Sequence, residues 1–498
     1  MSTRFFYLDG KYVKAFIALV IFSLIYILPI IIANFYYIDD LGRSLSGYTG
    51  WNNNGRPLLS AISIILSDGK PLMDISPWIQ IASIVVFSYS LILYVRKYVV
   101  EASAFQIFCV SVCGYLNLFL LENFSYKYDS LGMILSLSLY FILFSLPDTL
   151  NKRKIFLISI VIVFLSSSLY QAAIGAYLSL VFLEVVWLLY NKDTWRIITR
   201  RILTRIVGIL GGSIIYKMTV VKLMVKGNYS VDHAGILNLF SIQGIHKALT
   251  NSTGFALLFK SYGLTMGILG VLLALVLFIG VIYVAYVIWH KREECILLKI
   301  LSIGFVLITP VFLIVASVLS LIILASPVIA PRVMLSFTVF TLFIGFMLYH
   351  LSKMKKGFLI VGVLSAACTL SFSSYYGNLL TRQEQMNRLV AYTIIHDLNE
   401  MEVKYGRHFD AISFIGRSPN SHELSLAIKK KPLFGRLVPI YMNNDWYWGG
   451  QYLSHYRKKP THLKTDSDDK LYAESHTAER GNEFYKMYVH DDKVIITF

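Results

Sequence analysis

Apolar runs long enough to cross a bilayer recur through the first three quarters of this chain. A hydrocarbon core of about 30 Å takes roughly 20 residues of helix. Runs of that kind are read at 15–35, 78–95, 103–121, 131–147, 155–170, 172–190, 206–222, 262–289, 297–325, 333–351 and 358–376. Near-continuous apolar segments joined by loops exclude the residue-by-residue alternation of a membrane barrel. The expectation is therefore an all-α polytopic membrane protein with about eleven transmembrane helices. With 56% hydrophobic and 15% charged residues, the composition is also too apolar for a soluble protein.

The formal net charge of +17 would point to nucleic acid in a soluble protein. Here much of it falls in one set of short loops: Arg4, Lys11 and Lys14; Arg96 and Lys97; Lys152 to Lys154; Lys192 to Arg205; Lys291 and Arg292; Lys353 to Lys356. That bias marks the cytoplasmic side, and no nucleic-acid partner is expected. The opposite loops, 36–77, 122–130, 223–261 and 326–332, are poorer in Lys and Arg and hold the carboxylates. With the N-terminus inside and eleven crossings, residues 377–498 emerge on the outer face. Amphipathic "LLTRQEQMNRLVAYTIIHDLNEM", strand-like "FDAISFIG" and "DKVIITF", and aromatic-rich "DWYWGG" predict a small α/β domain there. The chain thus divides into a transmembrane domain, 1–376, and an outer C-terminal domain, 377–498.

The stretch "NFYYIDDLGRSLSGYTGWNNNGRP" follows the first apolar run and puts Asp39 and Asp40 at the membrane surface. Acidic residues there cap a helix beginning near Leu41, or do chemistry. Arg43, Trp51, Asn52 to Asn54 and Arg56 surround them and favour a sugar-phosphate site. A carboxylate deprotonates a hydroxyl, a guanidinium forks onto a phosphate, and a ring stacks on a sugar. Adjacent helical residues point about 100° apart, so one aspartate faces the substrate and the other caps or orients. Asp40 is favoured as the base, with Asp39 as its partner.

The second outer loop, "LLENFSYKYDSLGM", repeats the theme with Glu122 and Asp129 flanking Lys127. Taken alone it reads as an interfacial turn with a snorkelling lysine. Two acidic loops on one side instead place several carboxylates around one cavity. "SSSLYQAAIGAY" adds Tyr170 and Gln171 as a packing hairpin or a lining element. In "ASPVIAPRVML" two prolines stiffen the backbone beside Arg332, whose charge serves as an interface anchor or as a partner for an anionic lipid head group. The loop with Asp232, His233, His246 and Lys247 is long enough for a re-entrant or interfacial helix and lacks a third ligand at metal spacing. Cys109, Cys113, Cys295 and Cys368 read as small hydrophobes. No phosphate-cradling loop, dinucleotide fingerprint or nucleophile elbow occurs.

Together, "YYIDDLGRSLSGYTGW…GRPL", "ENFSYKYDSLGM" and "SLYQAAIGAY" resemble the serotype-converting O-antigen glucosyltransferases, the Gtr proteins of enteric bacteria and their phages. The resemblance covers about the first 180 residues by motif and the remainder by layout. It implies a C-type glycosyltransferase (GT-C) fold in the bacterial inner membrane with a periplasmic active site. The implied donor is undecaprenyl-phosphate-glucose, made inside by a companion synthase and carried across by a companion flippase. The acceptor would be a sugar of the lipid-linked O-antigen. The family's acidic first-loop motif maps onto Asp39 and Asp40 and its second-loop acidic position onto Asp129; Arg332 is added from chemistry and position alone. The expected reaction is an inverting displacement that asks for no nucleotide cofactor and leaves a divalent cation open. The rivals are a transporter or flippase of lipid-linked sugars, which would carry ionisable residues near the midplane, and a transferase of another hexose.

Overall fold

The computed structural model describes residues 6–227, 233, 235–444, 446–457 and 462–498; Asp232 lies outside them. Each of the eleven apolar runs is helical. The first half of the chain forms α1 (Gly10–Ala33), α2 (Asp39–Ser46), α3 (Pro57–Leu66), α4 (Trp78–Tyr98), α5 (Ala104–Val112), α6 (Leu120–Ser125), α7 (Ser130–Ser145), α8 (Lys152–Leu169), α9 (Ile174–Tyr190) and α10 (Trp195–Tyr216). Then come α11 (Ile242–Lys291), α12 (Ile296–Ile322), α13 (Thr338–Met354) and α14 (Leu359–Tyr405). Among the described residues, eight helices are long and apolar enough to cross a membrane: α1, α4, α9 to α12, α13 with its leading turn, and α14. The other expected spans are the shorter α5 with its following turn, α7, and α8, which opens on three basic residues.

Two helices start well before their apolar runs. α11 begins at Ile242, so the segment 223–261 does contain a helix, and the 50 residues of α11 are broken at Gly267. α10 begins at Trp195, which puts Arg196 to Arg205 on a helix instead of in a loop. The reason lies in Arg205. Its guanidinium donates two parallel bonds to Glu184 of α9, at 2.9 Å each, and stacks on Phe144 at 4.1 Å with both partners buried. A charge that finds a bidentate partner on the neighbouring helix stays inside the bundle.

In the bundle α4 packs on α7, α8 on α10, α9 on α12 and α1 on α14. α14 runs unbroken through the expected boundary at residue 376 for 47 residues, so the C-terminal part grows out of a helix of the bundle. There a five-stranded sheet of order β2-β1-β5-β4-β3 forms from β1 (Ala411–Ile415), β2 (His462–Leu463), β3 (Arg480–Gly481), β4 (Lys486–His490) and β5 (Lys493–Thr497). β1 runs parallel to β2 and β5, with Ile412 opposite Val494 and Phe414 opposite Ile496, and the remaining pairs are antiparallel. Around the sheet lie α15 (His422–Lys430), α16 (Phe434–Leu437), α17 (Tyr447–Ser454) and α18 (Asp469–Ser475). Gln383 of α14 fastens this layer by accepting from the Ser421 N–H at 2.8 Å. The sheet layer sits at the same end of the bundle as the acidic loops: Lys431 donates to the Thr265 carbonyl and Tyr441 to the Tyr36 carbonyl.

Removing one member of the Glu184–Arg205 pair strands a buried charge. Arg205→Ala should cost about 3–5 kcal/mol, seen as a lowered thermal midpoint in detergent. Glu184→Leu combined with Arg205→Met should recover most of the loss; equal losses would show that the pair is not what holds α9 to α10.

Candidate active site

The site is built where the loop after α1 meets the loop after α6. α2 begins on Asp39 and Asp40, two acids in a first turn that suits the positive end of a helix, and closes on Gly47 in the left-handed conformation. Before it stands Ile38 at φ 50°, ψ −101°, a backbone region in which a β-branched residue is strained at a cost of about 1–3 kcal/mol. Tyr441 of the C-terminal domain holds this turn, accepting from the Ile38 N–H at 3.2 Å and donating to the Tyr36 carbonyl at 2.6 Å.

The two aspartates differ sharply. The Asp40 carboxylate is fully buried and accepts backbone N–H groups from Tyr37 (3.2 Å), Lys127 (2.8 Å) and Tyr128 (3.4 Å). Burial pushes its carboxyl well up from the usual range, against the pull of those amides. Asp39 keeps 39% of its side chain exposed and has one ion-pair contact, Arg43 at 3.9 Å. The acid favoured from sequence is thus enclosed as a tie between the two loops, and its neighbour is the accessible carboxylate.

From Arg43 the remaining residues form one connected network. Arg43 donates to Asp129 at 2.7 Å and stacks on Trp51 at 4.2 Å. The Trp51 indole N–H donates to the other Asp129 oxygen at 2.7 Å, and Arg56 stands 3.9 Å from it. Burial pushes the Asp129 carboxyl up, with Arg43 pulling the other way. Arg56 stacks on the Tyr170 ring at 4.6 Å and donates to Gln171 at 3.1 Å. Gln171 donates to the Asn54 carbonyl and to Tyr216, whose hydroxyl donates to the Gly55 carbonyl. Gly55, at φ 72°, lets that loop pass where an added Cβ would lie 2.5 Å from the Tyr216 oxygen. Tyr170 donates to the Arg332 carbonyl at 3.3 Å. Glu122 accepts from both the Arg332 backbone N–H and its guanidinium, at 2.8 and 3.0 Å.

Nine of the eleven residues named from sequence therefore share one cluster through their side chains; Asp40 is tied beside it through the backbone N–H groups it accepts. Lys127 joins it only through its backbone; its ammonium group turns away to Asn34 and Asp74, at 2.6 and 3.0 Å, over the Tyr36 ring. Arg43 Nε and Tyr126 Oη are buried without a hydrogen-bond partner among the described residues, the kind of unmet polar atom that a ligand or ordered water satisfies.

Above the network lies a cavity of about 420 Å³ lined by Tyr37, Glu122 and Arg332 from the loops and by Arg417, Arg436 and Trp446 from the C-terminal domain. Those C-terminal residues were not singled out in the sequence, although "DWYWGG" marks the spot. Neither was His455, which stacks on Tyr36 and reaches the Leu41 carbonyl at 3.0 Å. Among the described residues two clusters carry metal-ligand types of side chain, His396–Asp397–Glu400 and Asp466–Asp468–Asp469. Both lie in the C-terminal domain away from the cavity lining, and Arg480, Tyr485 and Lys493 engage their carboxylates.

A multi-pass membrane protein whose polar, arginine-lined cavity sits beyond the ends of its apolar helices is the class defined by this fold and cavity. Residues 28–349 match the family described as glucosyl transferase GtrII, and the chain belongs to that family. It is accordingly a membrane glucosyltransferase, as its first-loop motifs suggested. A protein of Salmonella phage P22, described as an uncharacterized 55.3 kDa protein in the gtrB 5′ region, is 27% identical over 504 residues, covering 98% of this chain and 99% of the relative. No solved structure matches this chain.

The contrast between the aspartates is measurable on the protein alone. Asp40→Asn exchanges an acceptor oxygen for a donor facing backbone N–H groups and should destabilise by about 1–3 kcal/mol, read as a lower thermal midpoint. Asp39→Asn should leave the midpoint unchanged. Equal effects would place both side chains in the same environment.

Proposed function

We propose that this chain moves glucose from undecaprenyl-phosphate-glucose to a sugar of the lipid-linked O-antigen on the periplasmic face of the bacterial inner membrane. The observation that carries the reading is the exposed carboxylate of Asp39 standing within one network of arginines, beside a cavity shared by the membrane loops and the C-terminal domain. Family membership supplies the sugar-transfer class. The donor and the acceptor are those that the resemblance to the O-antigen glucosyltransferases implies, and the sidedness is inferred from the basic bias of the opposite loops.

In this reading Asp39 is the general base. It takes the proton from an acceptor hydroxyl as that oxygen bonds to the anomeric carbon of glucose. The bond from that carbon to the phosphate oxygen breaks on the opposite face, which inverts the configuration, and the lipid phosphate leaves with the electron pair. Arg332 presents its charge to the departing phosphate while Glu122 fixes its orientation. Asp40 and Asp129 shape the site: Asp40 pins the loop that carries Asp39, and Asp129 holds Arg43 and Trp51 in place. Trp51 lies wholly under this layer, so ring contact to the sugars falls to Trp446, which lines the cavity and is part-exposed. A GT-C architecture, with residues 377–498 as a periplasmic domain, accords with these roles.

Asparagine at position 39 preserves size and cannot accept the proton. Asp39→Asn should lower O-antigen glucosylation by roughly two to four orders of magnitude at matched membrane levels; wild-type glucosylation would remove Asp39 from the chemistry. For sidedness, a reporter fused after Phe498 should be active only in the periplasm, and one fused after Lys356 only in the cytoplasm. The reverse pattern would put the cavity on the wrong face for a flipped lipid donor.

A further inference from the structure

The cavity has a second basic wall that the transfer step above does not use. Arg417, just beyond β1, and Arg436, on α16, are both exposed and both line it. Arg417 donates to the Asn420 side chain at 3.3 Å. Neither guanidinium has a carboxylate partner among the described residues, whereas the cavity's own acid, Glu122, is committed to Arg332 at 3.0 Å. Two unneutralised guanidinium groups on one wall of a concave site favour an anion with several oxygens.

Height narrows the choice. The segment carrying Arg436 is docked on the ends of the bundle helices: the Leu433 N–H donates to the Thr265 hydroxyl at 3.1 Å. Next to it, Phe434 stacks flat on Phe372 with centroids 4.5 Å apart. Thr265 and Phe372 lie near the outer ends of two apolar runs, so Arg436 stands where lipid phosphates lie. It is also close to the reacting centre, because the Tyr37 hydroxyl donates to the Leu437 carbonyl at 2.7 Å and Tyr37 precedes Asp39 by two residues.

We propose that Arg417 and Arg436 bind the diphosphate that joins the acceptor glycan to its lipid carrier, leaving Arg332 for the monophosphate of the donor. The proposal rests on the glucosyl-transfer reading for the identity of the acceptor. Two phosphoryl groups match two guanidinium forks, and the anchor holds the acceptor by the one part that is the same whatever sugars follow it. The C-terminal domain then takes the acceptor while the membrane loops take the donor.

The test is equilibrium binding to the full-length protein in nanodiscs, which needs no turnover and so stands apart from any failure of glucose transfer. The probes are undecaprenyl diphosphate and undecaprenyl phosphate. Arg417→Gln with Arg436→Gln should weaken diphosphate binding by about tenfold or more, from the loss of charge-assisted hydrogen bonds, and leave monophosphate binding within about twofold. The single Arg436→Lys variant, which keeps the charge and loses the fork, should fall between. Unchanged diphosphate binding, or equal weakening of both lipids, overturns the proposal. So does an acceptor glycan on a neutral anchor whose binding falls as far in the double variant, because the arginines would then read an acidic group on the sugars.

Discussion

Everything at the site depends on a buried carboxylate, Asp40, that has no ion-pair partner among the described residues and is held by backbone amides. Asp40 collects three backbone N–H groups, one from its own loop and two from the loop after α6. In water such a carboxylate would bind solvent; inside the protein the amides replace part of that solvation, and burial still raises its pKa. The consequence is geometric. Once the two loops are joined at that point, Asp129 faces Arg43, Arg43 lies on Trp51, and Asp39 is turned outward with half of a first helical turn to stand on.

The C-terminal domain completes this arrangement from the other side. Tyr441 satisfies the N–H of the strained Ile38 turn, His455 reaches the α2 carbonyl of Leu41, and Trp448 packs so closely on Gly42 that an added Cβ would lie 3.3 Å from its ring. A backbone strained beside an exposed carboxylate persists only where its surroundings hold it, and these three aromatic side chains do so. The same domain closes the cavity, so positioning of the acid and enclosure of the substrate share one docking surface. Because α14 enters the domain without a break, the sheet is fixed to the bundle by a helix as well as by contacts.

Much of this was legible in the sequence, for reasons that differ by residue. The apolar runs were legible because a bilayer demands length, and every expected run is helical, although only eight of the helices meet the length and composition of a full crossing. Asp39, Asp129, Arg332 and their neighbours stood out because charge and aromatic rings are costly at an interface unless they are used. The roles within the pair were not legible. A 100° separation says that two aspartates differ, and only the backbone amides of residues 127 and 128 say which one is enclosed. The side-chain partners of Lys127, Asn34 and Asp74, carried no signal because they lie far off in the chain. Arg205 was read into a basic loop because its carboxylate, Glu184, is on the preceding helix. Arg417, Arg436 and Tyr441 carried no local pattern at all; what marks them is docking across some 400 residues of chain.

The central claim is that the cavity transfers glucose from a lipid phosphate to a lipid-linked acceptor. It is tested most directly by reconstituting the purified chain in liposomes with radiolabelled undecaprenyl-phosphate-glucose and lipid-linked O-antigen, then following the label and the anomeric configuration of the product. The account predicts label in the acceptor, with configuration inverted relative to the donor and with no nucleotide sugar present. Transfer that requires a nucleotide sugar, or a product that retains the donor's configuration, would contradict it.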